Sequence, residues 1–169
     1  EREDFLEVAP AKFFRLSLGN EVRLKNAYII KGESVVKDAA GNITEIHATY
    51  DVDSKSGSGT EASQRKVKGT IHWVSIPHAE VAEVRLFDRL LIVEDASELG
   101  DDFMKFINPE SLQVLDKVYV EPALKEAQVE KAVQFMRKGY FCLDKDTQDG
   151  HLVFNRTVTL KDTWAKQQK

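Results

Sequence analysis

Apolar and polar residues alternate with a period of two through much of this chain, and this alternation constrains the fold more than any other feature. In the first clear example, Val22, Leu24 and Ile30 fall on one side of an extended backbone, whereas Arg23 and Lys25 fall on the other. Successive side chains of a β-strand point to opposite faces, so the pattern predicts strands with one buried face.

The same reasoning predicts further strands and the turns between them. Residues 38–42 are a predicted turn, because Gly and Asn accept the backbone angles of tight turns, and residues 43–50 return as the second strand of a hairpin. Residues 54–63 are rich in Gly, Ser and Thr and are predicted to form a flexible loop. Other predicted elements are extended segments at 68–75, 81–93, 112–120, 129–143 and 151–160, a short helix at 101–107, and one or two helical turns at 122–128.

Many short strands with few helices favour antiparallel β-barrels over alternating βαβ units. We therefore predict a mainly β fold of two antiparallel β-barrel-like lobes with a few short helices. One lobe is expected to be built around residues 12–95 and the other around 104–145, with a last strand at 153–160 returning to the first lobe. As domains, residues 1–95 with 146–169 form one lobe and residues 96–145 form the other.

Composition excludes several classes of protein and leaves the function open. A hydrophobic content of 42% in 169 residues suffices for a folded core. No apolar run approaches the roughly 18 residues of a membrane span, and the single Cys142 suits a reducing cytoplasm, so we expect a cytoplasmic protein without a membrane partner. A net charge of −4 argues against non-specific coating of nucleic acid, but basic residues cluster near residues 12–31 and 65–68 and are compatible with a specific RNA-binding face.

The sequence contains no residue pattern typical of a catalytic or metal site. The four histidines are dispersed without zinc-like spacing, and the glycines near residue 57 lack the flanking elements of a phosphate-binding loop. Cys142 lies in an apolar segment, where a buried and inert thiol is expected. We therefore predict neither a catalytic residue nor a bound cofactor in this chain. The aromatic residues Trp73, Tyr140 and Phe141 are expected to lie mainly in the core.

Six segments, spread over nearly the whole chain, carry a resemblance to a known family. They are LGNEVRLKNAY at 18–28, KVKGTIHWVS at 66–75, RLFDRL at 85–90, FINPESL at 106–112, FMRKGYFCLD at 135–144 and FNRTV at 154–158. In order and spacing they resemble the C-terminal anticodon-binding region of bacterial-type glutaminyl-tRNA synthetases, which are class I enzymes. One such segment would be a weak signal, whereas six in order are specific.

The resemblance implies a fold of the ribosomal RNA-binding barrel type, with an anticodon-proximal lobe (1–95 and 146–169, its first strands missing) and an anticodon-distal lobe (96–145). It implies a parent enzyme that joins glutamine to its tRNA using ATP and magnesium during translation, with the catalytic domain preceding this chain. The expected partners are glutamine tRNA, through its anticodon loop and inner arm, and that catalytic domain in cis, in a monomeric parent. The adenylate-handling motifs of class I enzymes are absent from this sequence.

The resemblance also assigns candidate RNA contacts. Arg23 and Lys25 match positions that meet the first anticodon base and a nearby phosphate, and the pleat would send both side chains to one face, about 7 Å apart. Lys25 is often Arg in the family, and a lysine lacks the planar fork of arginine. Arg15 matches a position that reads the third base, although its neighbour Phe14 departs from the family's frequent lysine.

Around the middle anticodon base, normally uridine, the matching residues are Gln134 and Arg137, while Met136 replaces a common Glu. Strict alternation would place Gln134 and Arg137 on opposite faces unless the strand bends near Gly139. Weaker candidates for RNA contact are Lys12, Phe13, Arg65, Lys66 and Lys68.

Two other interpretations are compatible with parts of the sequence. A stand-alone ribosomal RNA-binding β-barrel protein would resemble only about half of the chain. The equivalent domain of a eukaryotic or archaeal glutamyl-tRNA synthetase is a close relative, but the HWVS run at 72–75 and the RKGYF run at 137–141 favour glutamine.

Overall fold

Short strands joined by tight turns make up most of the chain, and the prediction of a mainly β fold is confirmed. The structure is a computed structural model, and it describes residues 1–95, 97 and 99–160. Contacts divide the chain into a first unit, which ends at Trp73, and a second unit, which begins at Val74. In the described residues neither main sheet closes on itself, so the lobes are barrel-like without being closed barrels.

The first unit contains a short parallel pair of strands and a four-stranded sheet. Its elements are a 3₁₀ helix (Arg2–Asp4), β1 (Phe5–Leu6), β2 (Leu16–Ser17), β3 (Glu21–Leu24), β4 (Ile29–Lys37), β5 (Ile43–Tyr50), a 3₁₀ helix (Val52–Ser54), α1 (Glu61–Gln64) and β6 (Thr70–Ile71). The larger sheet has the order β5–β4–β3–β6, in which β4 is antiparallel to β3 and β5, and β6 is parallel to β3.

The β4–β5 hairpin forms as predicted, with its turn at residues 38–42. The Asp38 carboxylate accepts backbone N–H groups from Ala40 at 2.9 Å and Asn42 at 2.8 Å, and also the Asn42 side-chain amide at 3.0 Å. These hydrogen bonds, above all the one from the Asn42 side chain, hold the pKa of Asp38 below its ordinary value.

Alternation places one face of the sheet in a core. Val22 of β3 is buried together with Phe5, Leu16 and Ile71, and Leu24 packs against this cluster. The apolar face predicted for residues 22–30 therefore faces the interior, while the opposite face of β3 is left to its basic residues.

The prediction of a flexible loop at 54–63 is wrong, because hydrogen bonds fix this segment at several positions. The Ser54 side chain is fully buried; its Oγ accepts the Ile29 amide at 2.8 Å and donates to the Asp51 carbonyl at 2.6 Å. Thr60 caps α1 by accepting the Ser63 amide at 3.1 Å. Hydrogen bonds from side chains to the backbone thus order this segment, although its sequence has no hydrophobic periodicity. Such bonds cannot be predicted from hydrophobic periodicity.

The second unit is built on a five-stranded sheet of order β8–β7–β11–β10–β9. Its elements are β7 (Glu80–Phe87), a 3₁₀ helix (Gly100–Phe106), β8 (Leu112–Val120), a 3₁₀ helix (Pro122–Glu126), β9 (Ala132–Phe135), β10 (Gly139–Leu143) and β11 (Leu152–Val158). The two helical segments lie where the sequence predicts them. None of the helices among the described residues combines the length and apolar character needed to cross a membrane.

Aromatic packing fills the core of the second unit. Phe135 stacks on Phe141 with ring centroids 4.2 Å apart and meets the Phe154 ring edge-on at 5.3 Å. Phe154 is fully buried and Phe141 is 2% exposed. The core therefore ties the β9–β10 hairpin to β11.

The division of the chain differs from the expected domain bounds. β7 pairs with β8, and β11 pairs in parallel with β7, so two segments expected in the first lobe lie in the sheet of the second unit. Pairing between segments this distant in sequence is set by tertiary packing rather than local pattern. Residues 161–169 of the expected first lobe lie outside the described residues. The assignment of anticodon-proximal and anticodon-distal lobes stays a prediction.

Candidate nucleic-acid interface

The parallel ladder between β3 and β6 organises the basic residues of the first unit. Arg23 donates its backbone N–H to Gly69 at 2.9 Å, and Lys25 donates to Ile71 at 2.9 Å, which is the alternate-residue pattern of parallel pairing. A side-chain carbon at Gly69 would overlap the Phe14 carbonyl, so the segment around Phe14 lies directly against the start of β6. Three basic segments therefore approach one another here, at residues 12–15, 23–25 and 65–68.

The Arg23 guanidinium is bound inside the chain. Both of its terminal nitrogens donate to backbone or hydroxyl oxygens of the segment that follows: Ser54 O at 2.7 Å, Ser63 O at 2.9 Å, Ser56 Oγ at 3.2 Å, Ala27 O at 3.3 Å and Arg65 O at 3.3 Å. Arg23 thereby fastens residues 54–65 to β3. Direct contact between Arg23 and an RNA base stays a prediction, and it would require some of these bonds to exchange.

Arg65 is held by two carboxylates. Its Nη1 pairs with Glu21, and its Nη2 lies 3.1 Å from the second Glu21 oxygen and 3.3 Å from Asp51 Oδ2. The side-chain hydrogen bond from Arg65 lowers the pKa of Glu21, and the same bond raises the pKa of Arg65. Because both side chains are partly exposed, solvent screens the pair, and an RNA phosphate could compete for Arg65 at modest cost.

Residues 12–15 combine an anchored arginine with exposed groups. Arg15 Nε donates to Asp4 Oδ1 at 2.8 Å, and the Asp4 side chain is only 4% exposed, so Arg15 compensates a buried charge. The Arg15 side chain remains 37% exposed and keeps donors that face solvent. Lys12 and Phe14 are exposed, whereas Phe13 is half-buried.

Three lysines around the ladder have no hydrogen bond or ion pair from their side chains within the described part of the chain. Lys66 and Lys68 are exposed, and Lys25 is half-buried. Unlike the three arginines, these cations have no carboxylate or carbonyl partner in the part of the chain that the structure describes. They are therefore available to phosphate oxygens.

Two aromatic residues expected in the core are exposed. Trp73 is 42% exposed and Tyr140 is 41% exposed, and for both the prediction is wrong, whereas Phe141 is buried as predicted. The Trp73 indole N–H donates to the Lys25 carbonyl at 3.0 Å. The mixture of basic residues around the HWVS run was the only sequence signal that could have pointed to an exposed ring.

In the second unit, the expected continuous strand at 129–143 is instead a hairpin. The Lys138 amide donates to the Phe135 carbonyl at 2.9 Å, and Arg137 has a φ of 64° in the left-handed region. Gly139 follows with a φ of 145°, and a side-chain carbon there would lie 2.5 Å from the Val158 carbonyl. The chain therefore reverses between β9 and β10.

The hairpin exposes both predicted RNA contacts of this unit. Gln134 faces solvent from the edge strand β9, opposite Tyr140 of β10, while its neighbours Val133 and Phe135 pack inward. Arg137 is exposed in the turn itself. The Gln134 amide makes no hydrogen bond within the described residues, so its donor and acceptor are both available to a base edge.

The predicted contact residues are ammonium, guanidinium, amide and aromatic groups, which suit the binding of RNA. Among the described residues, no group of three or more His, Cys, Asp or Glu side chains is placed to hold a metal ion. A depression of about 690 Å³ beside α1 is lined by residues that include Asp53, Glu61 and Arg65.

Comparison with known proteins identifies relatives over nearly the whole chain. Two family models, both described as the anticodon-binding domain of class I tRNA synthetases (E and Q), match residues 1–51 and 70–144. A glutamine–tRNA ligase of Rhodopirellula baltica is 54% identical over 168 residues, covering 98% of this chain and 28% of that protein. Those of Vibrio vulnificus and Escherichia coli O157:H7 are 56% and 54% identical over 167 residues, covering 98% of this chain and 29% of each protein. The chain thus spans less than a third of these relatives.

Proposed function

We propose that this chain, which belongs to the anticodon-binding domain family of the class I tRNA synthetases for glutamate and glutamine, binds the anticodon arm of a glutamine tRNA. The observation that carries the proposal is the identity of 54% or more with glutamine–tRNA ligases across 98% of the chain. The lysines of the first unit that have no partner among the described residues, and the exposed Gln134 of the second unit, supply chemistry that suits this role.

In this proposal the chain is one part of a glutamine–tRNA ligase that attaches glutamine to tRNA in translation. ATP and magnesium would be bound by a catalytic domain elsewhere in the same polypeptide, and we assign neither to the residues described here. We further propose that the parent is a cytoplasmic monomer, in keeping with a single cysteine, Cys142, that needs no oxidising compartment.

The candidate residues divide into two roles. Phosphate contacts fix the register of a nucleic acid, and contacts to base edges determine sequence. Lys12, Lys25, Lys66 and Lys68 are assigned to phosphates, with Arg15 and Arg65 contributing through donors that their carboxylate partners leave available. Phe13 contributes an apolar surface next to Arg15 in the same segment. Gln134 and Arg137 are assigned to the middle base, because an amide can donate to and accept from one base edge.

We propose for Arg23 a role in addition to the base contact that the resemblance implies. Since its terminal nitrogens hold residues 54–65, we propose that it acts chiefly by positioning this segment and, with it, Arg65 and the lysines that follow. Lys25 stays assigned to a phosphate, so direct reading of the first anticodon base by Arg23 would require some of its bonds to residues 54–65 to exchange.

The choice of glutamine over glutamate rests on the relatives. The family description includes both amino acids, but the three relatives described above are all glutamine–tRNA ligases. A glutamyl-tRNA synthetase domain is therefore the second candidate.

Salt-dependent binding tests the assignment of the lysines. Each of Lys25→Ala, Lys66→Ala and Lys68→Ala is expected to weaken binding of a labelled glutamine-tRNA anticodon stem-loop, and to lower the slope of log affinity against log salt by about 1. The control is Lys117→Ala, an exposed lysine on β8 of the second unit. Equal, small effects in all four variants would contradict an interface on the β3–β6 ladder, and absence of RNA binding at any salt concentration would overturn the proposed function.

A further inference from the structure

Trp73 is the largest exposed aromatic side chain near the basic ladder, and the proposed function does not use it. A single exposed apolar residue is ordinary on a protein surface. What distinguishes Trp73 is the way in which the chain holds it, since 42% of the residue is exposed although it lies only two residues after β6.

The indole is fixed by its one polar atom. Trp73 Nε1 donates to the Lys25 carbonyl at 3.0 Å, and the Lys25 amide donates to the Ile71 carbonyl at 2.9 Å. Residues 71–73 thus form hydrogen bonds with both the backbone N–H and the backbone carbonyl of Lys25. Because indole has a single donor and that donor is satisfied inside the chain, the exposed surface of the ring is carbon.

Lysines lie on the two segments that meet at Trp73. Lys25 is bonded to Trp73 through its backbone, and its ammonium has no partner within the described part of the chain. Lys66 and Lys68 precede β6 on the same segment, are exposed and are likewise unpaired among the described residues. An exposed aromatic ring, together with lysines on neighbouring segments that have no partner among the described residues, is a combination by which proteins bind single-stranded nucleic acid, with bases stacked on rings and phosphates on cations.

We propose that Trp73 is a stacking platform for one unpaired nucleobase of the bound RNA, with the Lys25 ammonium on an adjacent phosphate. This subsite deepens the proposed function and rests on it. Stacking is tolerant of base identity, because every base has an aromatic face, so Trp73 contributes affinity and register rather than sequence preference. Loss of one stacked base weakens binding on the order of 5- to 150-fold.

Fluorescence tests the contact directly. The sequence contains two tryptophans, Trp73 and Trp164, so the Trp164→Phe variant of the 169-residue chain reports on Trp73 alone. A labelled anticodon stem-loop RNA is titrated while anisotropy follows binding and tryptophan emission follows the ring. Quenching that tracks the anisotropy curve is expected, and an abasic nucleotide at the stacked loop position should abolish it. Binding without quenching overturns the subsite, whereas no binding by anisotropy contradicts the proposed function itself.

Substitutions separate stacking from simple support of Lys25. Trp73→Phe keeps a ring and loses the hydrogen bond to Lys25, whereas Trp73→Leu loses both. Stacking predicts that the Phe variant binds several-fold more tightly than the Leu variant, and that the Leu substitution still weakens binding in a Lys25→Ala background. Equal affinities for Phe and Leu, or no further loss in that background, would assign Trp73 to support alone and overturn the proposal.

Tyr50 provides the matched control for these substitutions. It is 63% exposed at the end of β5, on the opposite edge of the same four-stranded sheet, about 14 Å from β6 by strand spacing. Tyr50→Leu should leave RNA affinity within about twofold. The abasic-RNA titration needs no change in the protein, so the proposal remains testable if Trp73→Leu fails to fold.

Discussion

Replacement of Arg23 by alanine should detach residues 54–65 from the sheet of the first unit. The two shortest contacts of its guanidinium are to Ser54 O at 2.7 Å and Ser63 O at 2.9 Å. Hydrogen bonds to a charged donor contribute roughly 1.5–3 kcal/mol each, but the site is partly open and water will replace some of them. We therefore expect a loss of about 2–3 kcal/mol in the free energy that holds this segment closed.

Arg23→Lys should recover only part of this loss. An ammonium keeps the charge, but it cannot reach carbonyls on two sides with the planar fork of a guanidinium. We expect the lysine variant to lie between wild type and Arg23→Ala, at a cost of about 1–2 kcal/mol.

Amide hydrogen exchange measures the effect residue by residue. The amide protons of Ser54, Ser56 and Ser63 are each bonded within or beside this segment and should exchange faster, by roughly 30- to 150-fold for 2–3 kcal/mol of local opening. Lys25→Ala is the matched control, because Lys25 occupies the next position on the same ladder without a side-chain partner among the described residues, and it should change stability by less than about 0.5 kcal/mol.

The same variants distinguish positioning from base reading. If Arg23 positions the segment, Arg23→Ala weakens binding of RNAs that differ at the first anticodon base by equal factors. Unchanged exchange at Ser54, Ser56 and Ser63, together with a loss confined to one first base, would refute the positioning role and restore direct reading by Arg23.

Three further predictions concern stability. Gly69→Ala forces a methyl group against the Phe14 carbonyl and should cost about 1–3 kcal/mol in urea denaturation, because backbone rather than a mobile side chain must move. Ser54→Ala leaves a buried backbone amide of β4 without its acceptor and should cost about 1–3 kcal/mol in the same assay. Arg65 lowers the folded-state pKa of Glu21, so this pair stabilises the protein above the ordinary glutamate pKa of about 4.5, and its contribution is lost as pH falls through the lowered pKa. Glu21→Gln should therefore reduce the fall in the free energy of unfolding at acid pH. An unchanged fall would show that the Glu21–Arg65 pair does not cause it.

Local pattern predicted much of the fold. The bounds of β5 and β8 coincide with the predicted strands at 43–50 and 112–120, and the turn at 38–42 forms as its residues require. In these segments the apolar residues follow the period of a strand and the turn contains residues that tight turns favour. The local sequence is therefore enough to predict the secondary structure.

Prediction failed where contacts between distant segments decide the structure. Arg23 organises residues 54–65 from a strand more than thirty positions earlier, as its bond to Ser54 across 31 residues illustrates. Periodicity cannot report that contact. The break between β9 and β10 depends on Arg137, a non-glycine residue in the left-handed region, which is uncommon enough that sequence rarely signals it.

The sequence predicted which residues belong to the candidate site better than it predicted their geometry. The basic positions were found, but sequence did not show that Arg15, Arg23 and Arg65 are bound to oxygens of the chain while Lys25, Lys66 and Lys68 are not. Nor did it show Trp73 exposed, because alternation is an unreliable guide to burial just beyond a two-residue strand.

The most direct measurement of anticodon reading is the binding of Gln134→Ala to anticodon stem-loops altered at one base at a time. Gln134 is exposed on an edge strand with its amide unpaired in the described residues. If it reads the middle base, the variant loses about 1–3 kcal/mol of discrimination at that base and keeps its preferences at the other two. Equal weakening for every stem-loop, with discrimination at the middle base intact, would contradict the account.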